Sequence, residues 1–235
     1  MPGIQTLLPI MQTQWYRHEV LANNLANSST PGFKQDDVVL VPAPALADAA
    51  GAPETYGMVP WTDFSQGSTN ATGRPLDLAL NGPGFLVVQT PAGLRYTRGG
   101  ALTVSQEGYL ATATGAPILG EAGPITVPGG RMTVSARGDV QADGRTDRLR
   151  LVEFPRGVRL LKEGNGLFVP TEPGTEPIPA RSVEVVGGAL ESSNVNPVLT
   201  MVGMMDSLRR YEAAQKAIQA IEDANHQAST EIGKV

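Results

Sequence analysis

The sequence predicts an α+β protein in which long N- and C-terminal helices pack together in coiled-coil fashion around an inserted all-β domain. Three observations carry this reading. Apolar residues recur at steps of three and four near both ends, and the middle breaks into short β-branched and aromatic runs. Between the first helix and those runs lies a passage rich in Ala, Pro and Gly and poor in large apolar side chains.

At the N-terminus Ile4, Leu8, Met11, Trp15, His18, Ala22 and Leu25 fall at alternating steps of four and three. That rhythm draws a narrow stripe along one helix face. Pro9 sits inside the stripe, and because proline lacks an amide hydrogen, the helix is expected over Pro9 to Asn27 with its start less defined. It must end near Asn27. Pro31 pushes Thr30 out of the α region and Gly32 supplies a turn.

The C-terminal helix has a clear start. Asn196 is a good N-cap, Pro197 suits the first helical position, and no proline follows. Met204, Leu208, Tyr211, Ala214, Ile218, Ile221, Asn225 and Ala228 repeat by three and four along one face. Such narrow stripes bury little in a lone pair of helices, so neighbouring molecules are the natural source of further burial.

Between the helices, residues 34–71 read as an extended connector. Residues 72–189 read as a β-rich outer domain, with runs such as "FLVVQT", "LRYTR", "ITVP", "LFVP" and "VEVV". Turn pairs separate them, among them Ala92-Gly93, Glu107-Gly108, Asp143-Gly144 and Asn165-Gly166. The terminal stretches 1–33 and 190–235 then form one discontinuous helical domain.

Composition excludes several classes of function. The chain has 235 residues, a formal net charge of −5 and no cysteine. Without a concentrated basic face there is no platform for nucleic acid, and without thiols there is no disulfide framework or thiolate metal site. No apolar run reaches the roughly 18 residues a membrane span needs. The first basic side chain is Arg17, so the N-terminus lacks the basic start of a cleaved signal peptide.

Candidate chemistry is sparse. His18 and His226 stand far apart, without further ligands at metal-binding spacing, and read as polar seam or solvated residues. Asp36-Asp37 reads as a solvated loop pair rather than a general acid and base. "GPGF" and "GPITVPGG" are turn sequences rather than phosphate loops. The sequons at Asn27 and Asn70 carry little weight, since so short a pattern recurs by chance. Met201, Met204 and Met205 read as seam packing, and Arg209-Arg210 as the solvated face of the helix. No catalytic residue, metal or cofactor is expected.

Several long motifs, in order, carry a resemblance. "ANNLANSSTPGFK" (22–34), and "GALESSNVNPV" (188–198) leading into "MMDSLRRYEAAQKAI", resemble the N- and C-terminal signatures of the bacterial flagellar axial proteins of the basal-body rod and hook. "RPLDLALNGPGFLVV" (74–88), "YTRGGALTVSQEGYL" (96–110) and "GAPILGEAGPITVP" (115–128) are similar to the family's central region. The resemblance covers nearly the whole chain apart from the connector, and its wording is most similar to proximal-rod members. Gly99 departs from the pattern, in which Asp or Asn often precedes the glycine of that turn.

The resemblance implies a non-enzymatic structural subunit of the rod that polymerises with other axial proteins through its terminal helices, around an export channel. It implies the flagellar export apparatus as a partner and a place in the periplasmic rod, reached without a cleaved signal. The assembly interface is then expected at Met11, Trp15, Leu25, Met204, Leu208, Tyr211, Ile218 and Ile221. The amides of Asn23, Asn24, Asn27 and Asn194 join it, with Phe33 as an anchor after the turn. The alternatives are a distal-rod or hook-type protein or, from another class, a wall- or carbohydrate-binding β-domain. The last would call for a concave site lined by acidic or aromatic side chains, and aromatics make up only 5% of the chain.

Overall fold

The computed structural model describes residues 2–42, 56–155, 157–172 and 174–232. The middle of the expected connector, residues 43–55, lies outside the described residues. So do the side chains of Ile4, Leu8, Asn225 and Ala228, which the heptad pattern used. The architecture is α+β, with a helix at each end and a β-rich middle. The chain divides into two units: a helical one of residues 1–26, 36–63 and 196–235, and a β unit of residues 27–35 and 64–195.

In the helical unit, α1 spans Pro2–Ala26 and α2 spans Pro197–Ile232. The α1 helix starts well before the expected Pro9, since proline removes only one backbone donor. Asn196 caps α2 as its sequence predicts, its Oδ1 accepting from the amides of Val198 and Leu199 at 3.1 and 3.2 Å. The helices pack antiparallel. The Trp15 and Tyr211 rings lie 5.8 Å apart, and His18 Nδ1 is 3.3 Å from Ser207 Oγ. A Cβ on Gly203 would stand 3.3 Å from Leu21 Cδ1.

The same unit holds a ribbon of β1 (Asp36–Pro42) and β2 (Tyr56–Thr62), paired antiparallel with Val39 opposite Val59. The stretch read as connector therefore carries strands. Asp36 and Asp37 open β1 instead of lying in a loop, and Thr62 Oγ1 donates to Asp36 Oδ1 at 2.7 Å.

The β unit runs through β3 (Thr69–Ala71), β4 (Leu78–Asn81), β5 (Phe85–Thr90), β6 (Gly93–Thr97), β7 (Thr103–Val104), β8 (Leu110–Ala111) and β9 (Thr133–Val134). It continues with β10 (Asp139–Ala142), β11 (Arg145–Arg148), β12 (Leu151–Glu153), β13 (Leu160–Gly164), β14 (Leu167–Pro170), β15 (Ile178–Pro179), β16 (Glu184–Gly187) and β17 (Ala189–Glu191). The largest sheet has the order β13-β14-β6-β5-β12-β15 and is antiparallel throughout. Smaller sheets are β11-β10-β9, β16-β4, β17-β3 and β7-β8.

The β5 strand explains why "FLVV" is apolar without alternation. Leu86 and Val88 point into one core with Leu78, Leu110 and Ile118. Phe85 and Val87 point to the opposite face, into a second core with Tyr96 and Phe168. A strand covered on both faces loses the period-two signal. The turn pairs Asp143-Gly144 and Asn165-Gly166 both take positive φ, at 48° and 76° and at 51° and 70°. Each closes a two-residue hairpin, the type that favours Asp or Asn before Gly. "ITVP" forms no strand, contributing only the isolated bridge from Thr126 to Tyr109.

Candidate functional site

The polar end of α1 leads into a buried charged clasp in the β unit. Past the helix the backbone folds twice on itself, with Thr30 N donating to Asn27 O at 3.1 Å and Phe33 N to Thr30 O at 3.2 Å. Gly32 then comes so close to the Arg98 backbone that a Cβ would stand 2.5 Å from its carbonyl oxygen, and its φ of 70° also favours glycine. Its amide donates to Glu191 O at 2.8 Å. Proline stops the helix, and glycine lets the chain seat against two distant segments.

Lys34 follows and is fully buried. Its Nζ donates to Glu191 Oε1 and to Ser65 O, both at 2.6 Å. The amide of Gly67 donates to the same carboxylate oxygen at 3.0 Å. On the other oxygen, Glu191 Oε2, Arg98 closes with Nε at 2.9 Å and Nη2 at 2.8 Å. The guanidinium also donates to the carbonyls of Gly82 and Gly84, both at 2.8 Å, and of Leu80 at 3.0 Å.

Two cations thus surround one carboxylate where water is excluded. Inward-turned backbone carbonyls solvate the second positive charge in place of water. A buried ion pair adds little stability over an apolar core, but removing one partner strands a buried charge and costs about 3–5 kcal/mol.

Asn194 sews the same segments together. Its Oδ1 accepts from the Gln35 amide at 2.7 Å, its Nδ2 donates to Ser65 Oγ at 3.1 Å, and its own amide donates to Phe33 O at 3.4 Å. Phe33 lies under Lys162, whose Nζ is 4.1 Å from the ring centroid and also donates to Lys34 O. The stretch by which the chain enters the β unit, 27–35, and the stretch by which it leaves, 189–195, are therefore fastened to each other.

Of the residues the sequence singles out, Phe33 and Asn194 belong to this clasp. Lys34, Arg98 and Glu191, its charged centre, were missed, although each lies inside a motif: "STPGFK", "YTRGG" and "GALESS". A lone charge embedded in a glycine-rich apolar motif was the available signal. The neighbouring turn settles the Gly99 departure. Gly99 has ordinary backbone, whereas a Cβ on Gly100 would stand 1.6 Å from Leu78 O, so the second glycine carries the constraint.

The remaining candidates lie in the helical unit, except Asn27, the first residue of the β unit. Asn24 is 2% exposed, and its amide imitates a strand partner: Nδ2 donates to Asp36 O at 2.7 Å and Oδ1 accepts from Asp36 N at 2.9 Å. Asn27 Oδ1 accepts from Thr30 Oγ1 at 3.2 Å, and Asn23 is exposed. Met11, Leu25, Met204, Tyr211, Ile218 and Ile221 are half-buried, Trp15 and Leu208 exposed. Trp15 Nε1 donates to Glu19 Oε1 at 2.9 Å. Met201 and Met205, read as seam packing, are exposed instead. They share a helix side with Val198 and Val202, away from the buried Thr200 and Ser207.

Comparison with known proteins completes the picture. Three family models match in chain order: "Flagella basal body rod protein" over residues 11–34, "Flagellar hook protein FlgE/F/G D1 domain" over 79–142, and "Flagellar basal body rod FlgEFG protein C-terminal" over 186–230. The clasp draws Lys34, Arg98 and Glu191 from these three matched regions in turn. The chain is 34% identical to the flagellar basal-body rod protein FlgF of Caulobacter vibrioides, over 92% of each chain. It is 37% identical to FlgF of Salmonella typhimurium over 89% of this chain and 90% of that one, and 37% identical to FlgF of Escherichia coli over 87% of each. With the three family matches and the near full-length likeness in agreement, the chain belongs to the flagellar basal-body rod proteins and is FlgF-like.

Proposed function

We propose that this chain is a structural subunit of the flagellar basal-body rod, at its proximal part, and that its helical unit makes the contacts to other axial proteins. The observation that carries this is the near full-length likeness to FlgF, with the matched motifs meeting in one buried clasp. A structural role needs no reacting group, so no catalytic step is assigned. The clasp fixes where the two terminal segments leave the β unit. The helices polymerise in coiled-coil fashion with rod and hook-type subunits, after passage through the flagellar export apparatus to the periplasmic rod.

Of the expected interface, Trp15, Asn23 and Leu208 have the exposure that contact with a neighbour requires. Met11, Tyr211, Ile218 and Ile221 support the helix pair and its edges.

The test is genetic and structural. A strain lacking the chain is expected to be non-motile, with basal bodies truncated at the rod, and restored by the full chain. Electron cryomicroscopy of restored basal bodies should show the subunit in the proximal rod. Full-length rods and motility in its absence would overturn the proposal.

A further inference from the structure

The largest sheet of the β unit ends in β13 on one side and β15 on the other, yet Leu160 of β13 and Ile178 of β15 border the same cleft. The sheet therefore curls round it. The cleft holds about 600 Å³, within the range of ligand pockets, and Phe64, Phe85, Phe154 and Val158 share its apolar wall. Phe64 is 36% exposed and stands edge-on to Phe85 and Phe168, with ring centres 5.5 and 5.3 Å away.

Two charged residues also border the cleft, but neither offers a charge to it. The Arg98 guanidinium is engaged by Glu191 and by the carbonyls of Leu80, Gly82 and Gly84. Glu153 follows Val152 on β12, and since Val152 packs in the core of Phe85, strand alternation carries the Glu153 side chain to the other face. What enters the cleft is therefore uncharged and apolar.

The backbone at its border is open as well. No strand among the described residues pairs with the outer side of β13. Thr171 N donates to Arg159 O at 2.9 Å, so Arg159 and Thr171 form a hydrogen-bonded pair and the next pair, Leu160 with Pro170, does not. Pro170 suits that register, having no N–H to donate. The N–H and C=O of Leu160 thus face the open edge, while its side chain packs with the core of Phe85. An open edge is a template for a further strand. This one is short, because a bulge between Lys162 and Gly164 breaks it.

Charge defines the other face of that edge. Arg159 and Leu161 alternate with Leu160 and are exposed, Leu161 at 50%. Glu163, further along, is already paired with Arg95. A residue placed opposite Arg159 is favoured when it is acidic.

We propose that the β13 edge and its cleft receive an extended segment of another polypeptide in which one acidic residue stands between two large apolar ones. The residue paired with Leu160 sends its side chain into the cleft, the acidic residue meets Arg159, and the second apolar residue reaches the cleft beside Val158. Backbone pairing holds the segment and the cleft selects its side chains. The site lies wholly in the β unit and is separate from the contacts proposed for the helices.

The test is a titration of the full-length protein with the acetylated, amidated peptide Thr-Phe-Asp-Leu-Thr, followed by amide chemical shifts. Saturable shifts are expected at Val158, Leu160 and Leu161. Replacing Phe and Leu of the peptide by Ser should weaken binding by about 10-fold or more, through lost apolar burial. N-methylation of both apolar residues, which removes their N–H donors, should weaken it by about 10-fold. A peptide with Lys in place of Asp should bind about fivefold less tightly. Arg159→Glu, an exposed change, should reverse that preference and leave the remaining spectrum in place.

The absence of saturable shifts at Val158–Leu161 would overturn the proposal. So would equal binding of the N-methylated peptide, which would show apolar groups entering the cleft without strand pairing, or an Arg159→Glu protein that still prefers the Asp peptide. None of these results would touch the reading of the helical unit as the assembly unit.

Discussion

In the β unit Leu78, Leu86, Val88 and Phe168 are almost wholly buried, and three charged side chains that go inside with them, Lys34, Arg98 and Glu191, meet in the clasp. In the helical unit Asn24, Thr200 and Ser207 are buried while Val198, Leu199 and Val202 stand in water. The first pattern suits a unit whose stability lies within itself, since apolar area leaves water on folding. The second leaves several apolar side chains in water, as the proposed contacts with other axial proteins would require. The two units thus differ in how much of their apolar surface they bury, and the clasp fastens segments 27–35 and 189–195 of the β unit together.

The comparison is open to breakage at several points. The largest effect is expected from Glu191→Leu, which strands Lys34 and Arg98 without their carboxylate. A loss of about 3–5 kcal/mol should follow, a large share of the roughly 5–15 kcal/mol typical of a domain. Urea unfolding followed by methyl resonances of Leu86 and Val88 measures it. An unchanged midpoint would mean that the clasp is incidental to the β unit.

A smaller loss, confined to the other unit, is expected from Asn24→Ala. It leaves the Asp36 amide and carbonyl without their partner, a cost of about 1–3 kcal/mol. Both tryptophans, Trp15 and Trp61, lie in the helical unit, so their emission reports its melting while the β unit's methyl signals stay in place. The smallest effect is expected from Asn196→Ala, which removes the cap of α2 at about 1 kcal/mol and should fray its first turn in chemical shifts.

How much of this was legible in the sequence depended on how local the cause was. The Asp143-Gly144 and Asn165-Gly166 hairpins, the Asn196 cap and the stop after Asn27 each follow from a few adjacent residues, and all were readable. The Lys34–Glu191 pair spans 157 positions, and no local pattern announces it. The β1–β2 ribbon was hidden because its strands flank an Ala/Pro-rich passage that reads as linker. On α2 the reading of Met201 and Met205 as seam packing differs from their exposure for another reason: the first turns are apolar on the outside, so helical spacing alone cannot tell which side faces α1.

The contrast between the two units is tested most directly by hydrogen exchange on the dilute full-length protein, repeated after assembly into rods. Amides of Leu86–Val88 and Tyr96 should be strongly protected in both states. Those of Leu208–Ile221 should exchange quickly in the dilute monomer and become protected only in the rod. Equal protection of Leu208–Ile221 and the β5 amides in the dilute monomer would contradict a helical unit completed by its neighbours.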